Sequence, residues 1–170
     1  MSQFFEGAVL LIGIFLLLGA FSLFANGGIT NTGGVTNSKP STVGKTVRDG
    51  QFAFTVTGVE CGITPVGTSE FLTKNPQGQY CRVSLTVENI GHKAQKMFAD
   101  NQYLFDTNGQ RFSADSTANL YDDSSKLVFE EINPGNSATG HIYFDVPTGI
   151  TLGKLELHDS MFSGGITVRL

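Results

Sequence analysis

Tryptophan is absent, cysteine occurs twice, proline five times, and only 15% of the residues are charged. Each shortage narrows the function. With 11 Lys+Arg against 15 Asp+Glu, a formal charge of −4 and no basic run, the chain lacks the electrostatic footprint of a nucleic-acid groove or of binding to an anionic membrane surface. No Gly-x-Ser-x-Gly elbow, His-Glu-x-x-His pair or phosphate-cradling glycine loop occurs, so the common hydrolase, metalloprotease and nucleotide signatures are missing. An Asn-x-Ser/Thr sequon is also missing, which removes glycosylation as a marker of an exported domain.

What is present begins with an apolar run. Gly7 to Ala25 are nineteen consecutive residues without charge and with a single hydroxyl, Ser22. That is about the length a helix needs to span the hydrocarbon core of a bilayer. A cleaved signal peptide is the competing reading, but its apolar region is about 7 to 15 residues long and follows a basic stretch. Met1 to Glu6 carry no Lys or Arg, and Leu23 is bulky at the minus-three position of a cut after Ala25. A retained N-terminal transmembrane helix over residues 1–25 is therefore expected. Direction is weakly marked, since Lys39 is the only basic residue close behind the run. Residues 26–44, rich in Gly, Asn, Thr and Ser and containing the near-repeat Gly27 to Asn31 and Gly33 to Asn37, read as a flexible tether.

Residues 45–170 are long enough for one domain with a real core. Apolar residues alternate with polar ones in the strand period: Phe52, Phe54 and Val56; Cys81, Val83, Leu85 and Val87; Ile142, Phe144 and Val146; Leu155 and Leu157; Ile166, Val168 and Leu170. Turn chemistry falls between them at Asp106 to Gln110 with its Asn-Gly pair, at Asn133-Pro134-Gly135-Asn136 and at Pro147-Thr148-Gly149. The class expected is all-β, an immunoglobulin-like antiparallel sandwich of about seven to nine strands, each apolar on one side. Val59 and Cys61 are out of phase with Phe52, Phe54 and Val56, and a β-bulge at Gly58 would return them to the core face.

The cysteines, Cys61 and Cys81, sit behind an export-like segment and read as a disulfide closing a loop of about twenty residues, worth roughly 3 kcal/mol by loop-closure entropy. Two buried free thiols are the alternative. Zinc is disfavoured by the spacing and the absence of a nearby histidine.

Several segments taken in order resemble a known family. They are Val47-Arg48-Asp49-Gly50, Phe54-Thr55-Val56 with Val59-Glu60-Cys61-Gly62, Gly78-Gln79-Tyr80-Cys81, Val87-Glu88-Asn89-Ile90-Gly91, Ile132 to Asn136, Phe144-Asp145-Val146-Pro147 and Leu155 to Ser160. Together they resemble the telokin-like, immunoglobulin-like domain of unknown function found in actinobacterial membrane-anchored and secreted proteins. The resemblance implies the sandwich fold, similar to that of a small secreted mycobacterial antigen, and supplies no catalytic residues.

No catalytic, cofactor-binding or metal site is expected. His92, His141 and His158 are expected on the solvated surface, and the adjacent His158-Asp159-Ser160 cannot converge as a relay. Asp115, Asp122 and Asp123 could offer oxygens to calcium, but the loop Asp115 to Lys126 lacks the twelve-residue ligand register. Phe71 and Leu72 in the loop Thr64 to Gln79, and Leu120 and Tyr121 in the acidic loop, are candidate partner contacts, the alternative being that they fold back and cap the sandwich. The function expected is a membrane-anchored, extracytoplasmic, non-enzymatic module for a protein or envelope component. A structural envelope protein is the alternative, and an envelope hydrolase a more distant one.

Overall fold

The computed structural model describes residues 41–69, 71–125 and 127–170. The expected anchor and all but the last four residues of the expected tether lie outside these. Among the described residues no helix is long and apolar enough to cross a membrane.

Thirteen strands form among the described residues. One sheet is built from β2 (Thr46–Asp49), β3 (Phe52–Ile63), β6 (Gln79–Asn89) and β11 (Ser137–Val146), in the order β11-β6-β3-β2. The facing sheet holds β1 (Ser41–Thr42), β8 (Tyr103–Asp106), β9 (Arg111–Ser113), β12 (Leu152–Leu157) and β13 (Ile166–Arg169), in the order β1-β13-β12-β8-β9. Two small ribbons are added, β4 (Val66–Ser69) with β5 (Leu72–Lys74), and β7 (Gln95–Lys96) with β10 (Glu131–Ile132). Eight strands, β2, β3, β4, β6, β8, β11, β12 and β13, have four residues or more. The strands outnumber the seven to nine expected, and the excess consists of pieces of two to four residues that repeat no period.

The core lies between the two large sheets. Phe52, Phe54, Val56, Val83, Leu85, Val87, Ile142, Phe144, Leu155, Leu157 and Val168 are buried there, which are the residues the alternation assigned inward. Ile166 and Leu170, at the edge, are only partly buried. The register slips between Val56 and Gly58, so Thr57 is the extra residue of a bulge that brings Val59 opposite Val83 and Cys61 opposite Cys81. Cys61 and Cys81 form a disulfide between directly paired residues with Cα atoms 4.0 Å apart. Cys81 is buried, but Cys61 stays exposed at the sheet rim, so the bulge returns only Val59 to the core margin.

Two further expectations are corrected. Ser41 and Thr42, read as tether, pair in parallel with Val168 and Arg169. Two residues give no periodicity, and their partner is at the far end of the chain. The sheets are also not uniformly one-sided. On the outer face of β6 and β11, Tyr80 and Tyr143 pack edge to face at 5.9 Å and are buried with Val66 and Ala118 in a second cluster, flanked by Ile63 and Tyr121.

That cluster exists because residues 114–125 run along the free edge of β11. Asp115 N–H donates to the Tyr143 carbonyl at 2.7 Å, Ala114 bridges Phe144, and His141 N–H donates to Ser125 Oγ at 2.8 Å. The exposed edge of the sheet is thereby blunted. A β-carbon on Gly140 would lie 2.6 Å from Leu127 Cβ, which is where Leu127 passes into the core.

Candidate functional site

The strand β3 has twelve residues and covers roughly 40 Å at about 3.3 Å per residue, so its ends define two separate regions. The region beyond Ile63 contains the β4–β5 hairpin and the short helix α1 (Ser116–Leu120); we call it the hairpin end. The region beside Phe52 contains the turns at Gly50, Gly91 and Asp159; we call it the latch end.

At the hairpin end the expected solvated loop is tied down. The Lys74 ammonium contacts both Asp115 carboxylate oxygens at 2.6 Å, the Tyr80 hydroxyl donates to Asp115 Oδ2 at 3.0 Å, and Ala118 N–H donates to Asp115 Oδ1 at 3.0 Å, capping α1. The Tyr143 hydroxyl donates to Asp122 Oδ2 at 2.8 Å, and Thr68 Oγ1 donates to Asp123 at 2.9 Å. Ionisation follows from these contacts. Burial opposes charge on Asp115, yet Lys74, the Ala118 N–H and Tyr80 overcome it and hold the carboxyl below the usual range. Asp122 is likewise lowered against burial, by Ser124 and Tyr143. Burial and then Asp122 push the Tyr143 phenol up to about 12, while burial and Asp115 raise Tyr80 further.

The three carboxylates are therefore directed at three different sets of partners. Among the described residues no group of three His, Cys, Asp or Glu is placed to hold a metal ion. The candidate contact residues divide: Phe71 (93% exposed), Leu72 and Leu120 project into solvent, whereas Tyr121 folds back against the tyrosine cluster as a cap. The hairpin carrying Phe71 is narrow, since a β-carbon on Gly67 would meet the Leu72 carbonyl oxygen at 2.1 Å.

The histidines depart from expectation. His92 is exposed, but His141 is half-buried with its Nδ1 3.0 Å from Ser84 Oγ, and burial lowers its pKa despite the nearby Asp122. His158 has Nε2 3.0 Å from Glu156 Oε1 and Nδ1 3.3 Å from Ser163 Oγ. Glu156 and His158 share a strand face because they are two residues apart. The Ser163 hydroxyl donates instead to the Ser160 carbonyl at 3.0 Å, and the imidazole packs edge to face on Tyr103, so this trio closes a loop and lines neither groove considered below.

At the latch end, most hydrogen bonds run from side chains to backbone. Gln51 N–H donates to Asp159 Oδ2 at 3.1 Å and Asp159 N–H donates to Asp49 Oδ2 at 2.7 Å, a reciprocal clamp between the two sheets. Gly50 is required inside it: φ is +56° and a β-carbon would overlap the Asp159 carboxylate at 2.0 Å. Buried Asn89 donates through Nδ2 to the Lys93 and Ile132 carbonyls, both at 2.7 Å, and accepts from Gly91 N–H. Buried Gln102 donates to the Phe98 and His158 carbonyls and accepts from His158 N–H.

Beside the latch lies an apolar groove of about 620 Å³ whose walls include Phe98, Met161 and Phe162, rimmed by Lys96, Asp100 and Glu131. Phe162 is 91% exposed and Met161 72%. Sequence reasoning missed this surface, although Met161-Phe162 between two serines was a visible signal. A second groove of about 780 Å³ between Ser41, Thr46, Asp106 and Arg169 is open and mixed in polarity.

The segments that carry the family resemblance converge on these clamps. Asp49-Gly50, Asn89-Ile90-Gly91, Ile132 to Asn136 and His158-Asp159 meet at the latch end. Gly78 and Asp145 meet at the other, where Gln77 and Gly78 N–H donate to the Asp145 carboxylate. They are scaffold contacts. Solved structures share the fold. MPT63, a secreted protein from Mycobacterium tuberculosis, superposes with a TM-score of 0.55 at 15% identity over 78% of this chain and 99% of that one. The yjhA protein from Bacillus subtilis gives 0.54 at 17% identity over 76% and 98% of the two chains. A conserved hypothetical protein from Bacillus anthracis gives 0.51 at 17% identity over 74% and 94%. Comparison with functionally curated proteins gives no significant match. A family model described as a domain of unknown function matches residues 41–168, and the chain belongs to that family, DUF4352.

Proposed function

We propose that this protein is a membrane-tethered, extracytoplasmic, non-enzymatic module that binds a protein or other envelope component through the β4–β5 hairpin and the α1 loop. One observation carries the reading. Phe71, Leu72 and Leu120 are exposed on segments that the Asp115, Asp122 and Asp123 contacts hold in place, so their ordering cost is met before a partner arrives. The Cys61–Cys81 disulfide supports an oxidising compartment, and the uncharged run Gly7 to Ala25 supports retention at a membrane. The secreted MPT63 has the same fold.

A photoreactive amino acid at Leu72 on intact cells tests the proposal. A discrete adduct that Phe71→Ala weakens is expected. Absence of any adduct would favour a passive structural role in the envelope. Ester or glycoside hydrolysis by the purified protein would instead favour the envelope-hydrolase alternative.

A further inference from the structure

The cations of this acidic chain are not spread evenly. On the outer face of the sheet β1-β13-β12-β8-β9, the register sets Arg169 beside Lys154, Lys154 beside Phe105 and Phe105 beside Arg111. They form one row. Its three strand intervals, at about 4.8 Å each, hold Arg111 and Arg169 roughly 14 Å apart. The sequence shows no basic run because four separate strands contribute to the row. Aromatic rings hold two of the charges against the sheet: the Lys154 ammonium is 4.2 Å from the centroid of Phe105, and the Arg111 guanidinium 4.7 Å from that of Tyr103. Part of the cost of ordering them for a ligand is thereby already met. The nearby carboxylates are engaged, since Glu156 reaches His158 at 3.0 Å and Lys154 at 3.5 Å, and buried Asp106 accepts from the Asn108 and Gln110 N–H groups of its own turn. Among the described residues Arg111 and Arg169 enter no ion pair.

At its Arg169 end the row opens into the groove of about 780 Å³, which Arg169 and Lys154 line together with Ser41, Thr107 and Thr167. We propose that this groove and row bind an acidic glycan, a linear chain in which hydroxyls accompany repeated carboxylate or phosphodiester groups. Charge complementarity carries the assignment. Guanidinium forks match oxyanions, and the Ser and Thr hydroxyls of the groove match a polyhydroxylated chain. None of the large apolar side chains exposed on the domain belongs to the row or the groove, so the apolar centre that a folded protein partner would cover is missing. The groove is also of a size to hold a small ligand or a few units of a longer one. No residue of the site belongs to the β4–β5 hairpin or to α1, so it is a second contact, independent of the one proposed above.

Calorimetric titration of the full chain in detergent tests this, with galacturonate hexamers supplying carboxylates and phosphomannan supplying phosphodiesters. Neutral dextran and poly-glutamate serve as comparisons. The expected result is saturable binding of one or both acidic glycans, weakened by added salt, with no binding of dextran and weaker binding of poly-glutamate. Whichever acidic glycan binds identifies the source of the oxyanion. Arg169→Gln should weaken binding about fivefold for galacturonate dimers and hexamers alike, whereas Arg111→Gln should do so only for hexamers, which are long enough to follow the row. Neither should change the melting temperature. Lys93→Gln, which removes an exposed cation outside the row, should leave binding unchanged. Poly-glutamate binding as tightly as the acidic glycans, or Lys93→Gln weakening them as much as Arg169→Gln does, would reduce the effect to diffuse charge attraction and overturn the proposal. Absence of saturable binding by either acidic glycan would overturn it as well.

Discussion

At the latch end the fully buried polar side chains that join the loops are amides, Asn89 and Gln102, bonded to backbone groups; at the hairpin end the joints are carboxylates facing phenols, Asp115 with Tyr80 and Asp122 with Tyr143. Amides do not titrate. Carboxylates and phenols do, so the same fold has one end whose buried amide joints are indifferent to pH and one whose joints are set by it. The end that offers Phe71 and Leu72 is thus the one whose buried joints pH can loosen.

The largest expected effect is loss of the disulfide. Cys61→Ser with Cys81→Ser should cost about 3 kcal/mol in chemical denaturation, since the bond closes a loop of about twenty residues. Hydrogen exchange should rise around β4 and β5 more than around Asp159; equal rises at both ends would erase the contrast. Asn89→Ala should cost about 2 to 3 kcal/mol by stranding the Lys93 and Ile132 carbonyls and the Gly91 N–H, with a penalty that is flat between pH 4 and pH 9. Asn89→Asp would sharpen the test by making that penalty grow as the introduced carboxyl ionises.

Asp115→Ala removes the cap of α1 and the partner of Lys74 and Tyr80, and should cost about 2 kcal/mol with faster exchange confined to residues 66–74 and 116–121. The smallest effects are those of pH. Because the folded Asp115 and Asp122 carboxyls lie below their unfolded values, their contribution is complete above the ordinary aspartate range near pH 4 and is lost as pH falls through the lowered values. His141, lowered by burial, gives the same sign at higher pH: its contribution is present above about 6.5 and declines as acid protonates the unfolded imidazole first. Tyr143 is opposite, with its contribution present below pH 10 and lost as pH rises towards about 12. Melting temperatures across pH 3 to 12, with Asp122→Asn and His141→Gln as controls, should reveal each limb. A control profile identical to wild type would refute that assignment.

Long strands were legible because each buries one face along many residues, as β6 and β11 do, and because a phase slip at Gly58 can only be absorbed by an extra residue. The cysteines were readable as a pair because there are only two of them and they follow an export-like segment. Short elements were not. β4 and β5 lie inside a stretch of Gly, Ser and Thr, α1 has five residues, and β1 has two, so none repeats a period. Tyr80 and Tyr143 occupy positions that alternation assigns to water; their cover comes from Val66 and Ala118, elsewhere in sequence. At the candidate surface, Phe71, Leu72 and Leu120 were named as candidate contacts and are exposed, whereas Tyr121 could not be told from them without knowing that Tyr80 and Tyr143 left a place for it. Phe98 was harder still, because it joins Met161 and Phe162 only through the folded latch.

The cross-strand disulfide has a mechanical meaning. A pull between Ser41 and a partner held at Phe71 would load β3 lengthwise, with its ladder to β6 resisting in shear through the paired residues from Phe52 to Ile63. Near the loaded tip of that ladder, Cys61 is covalently fastened to Cys81. Force arriving through the hairpin passes into the central strand of the sheet by a bond that cannot slip. Tension would first peel the two-residue β1 from β13, and the hairpin bearing Phe71 would keep its shape.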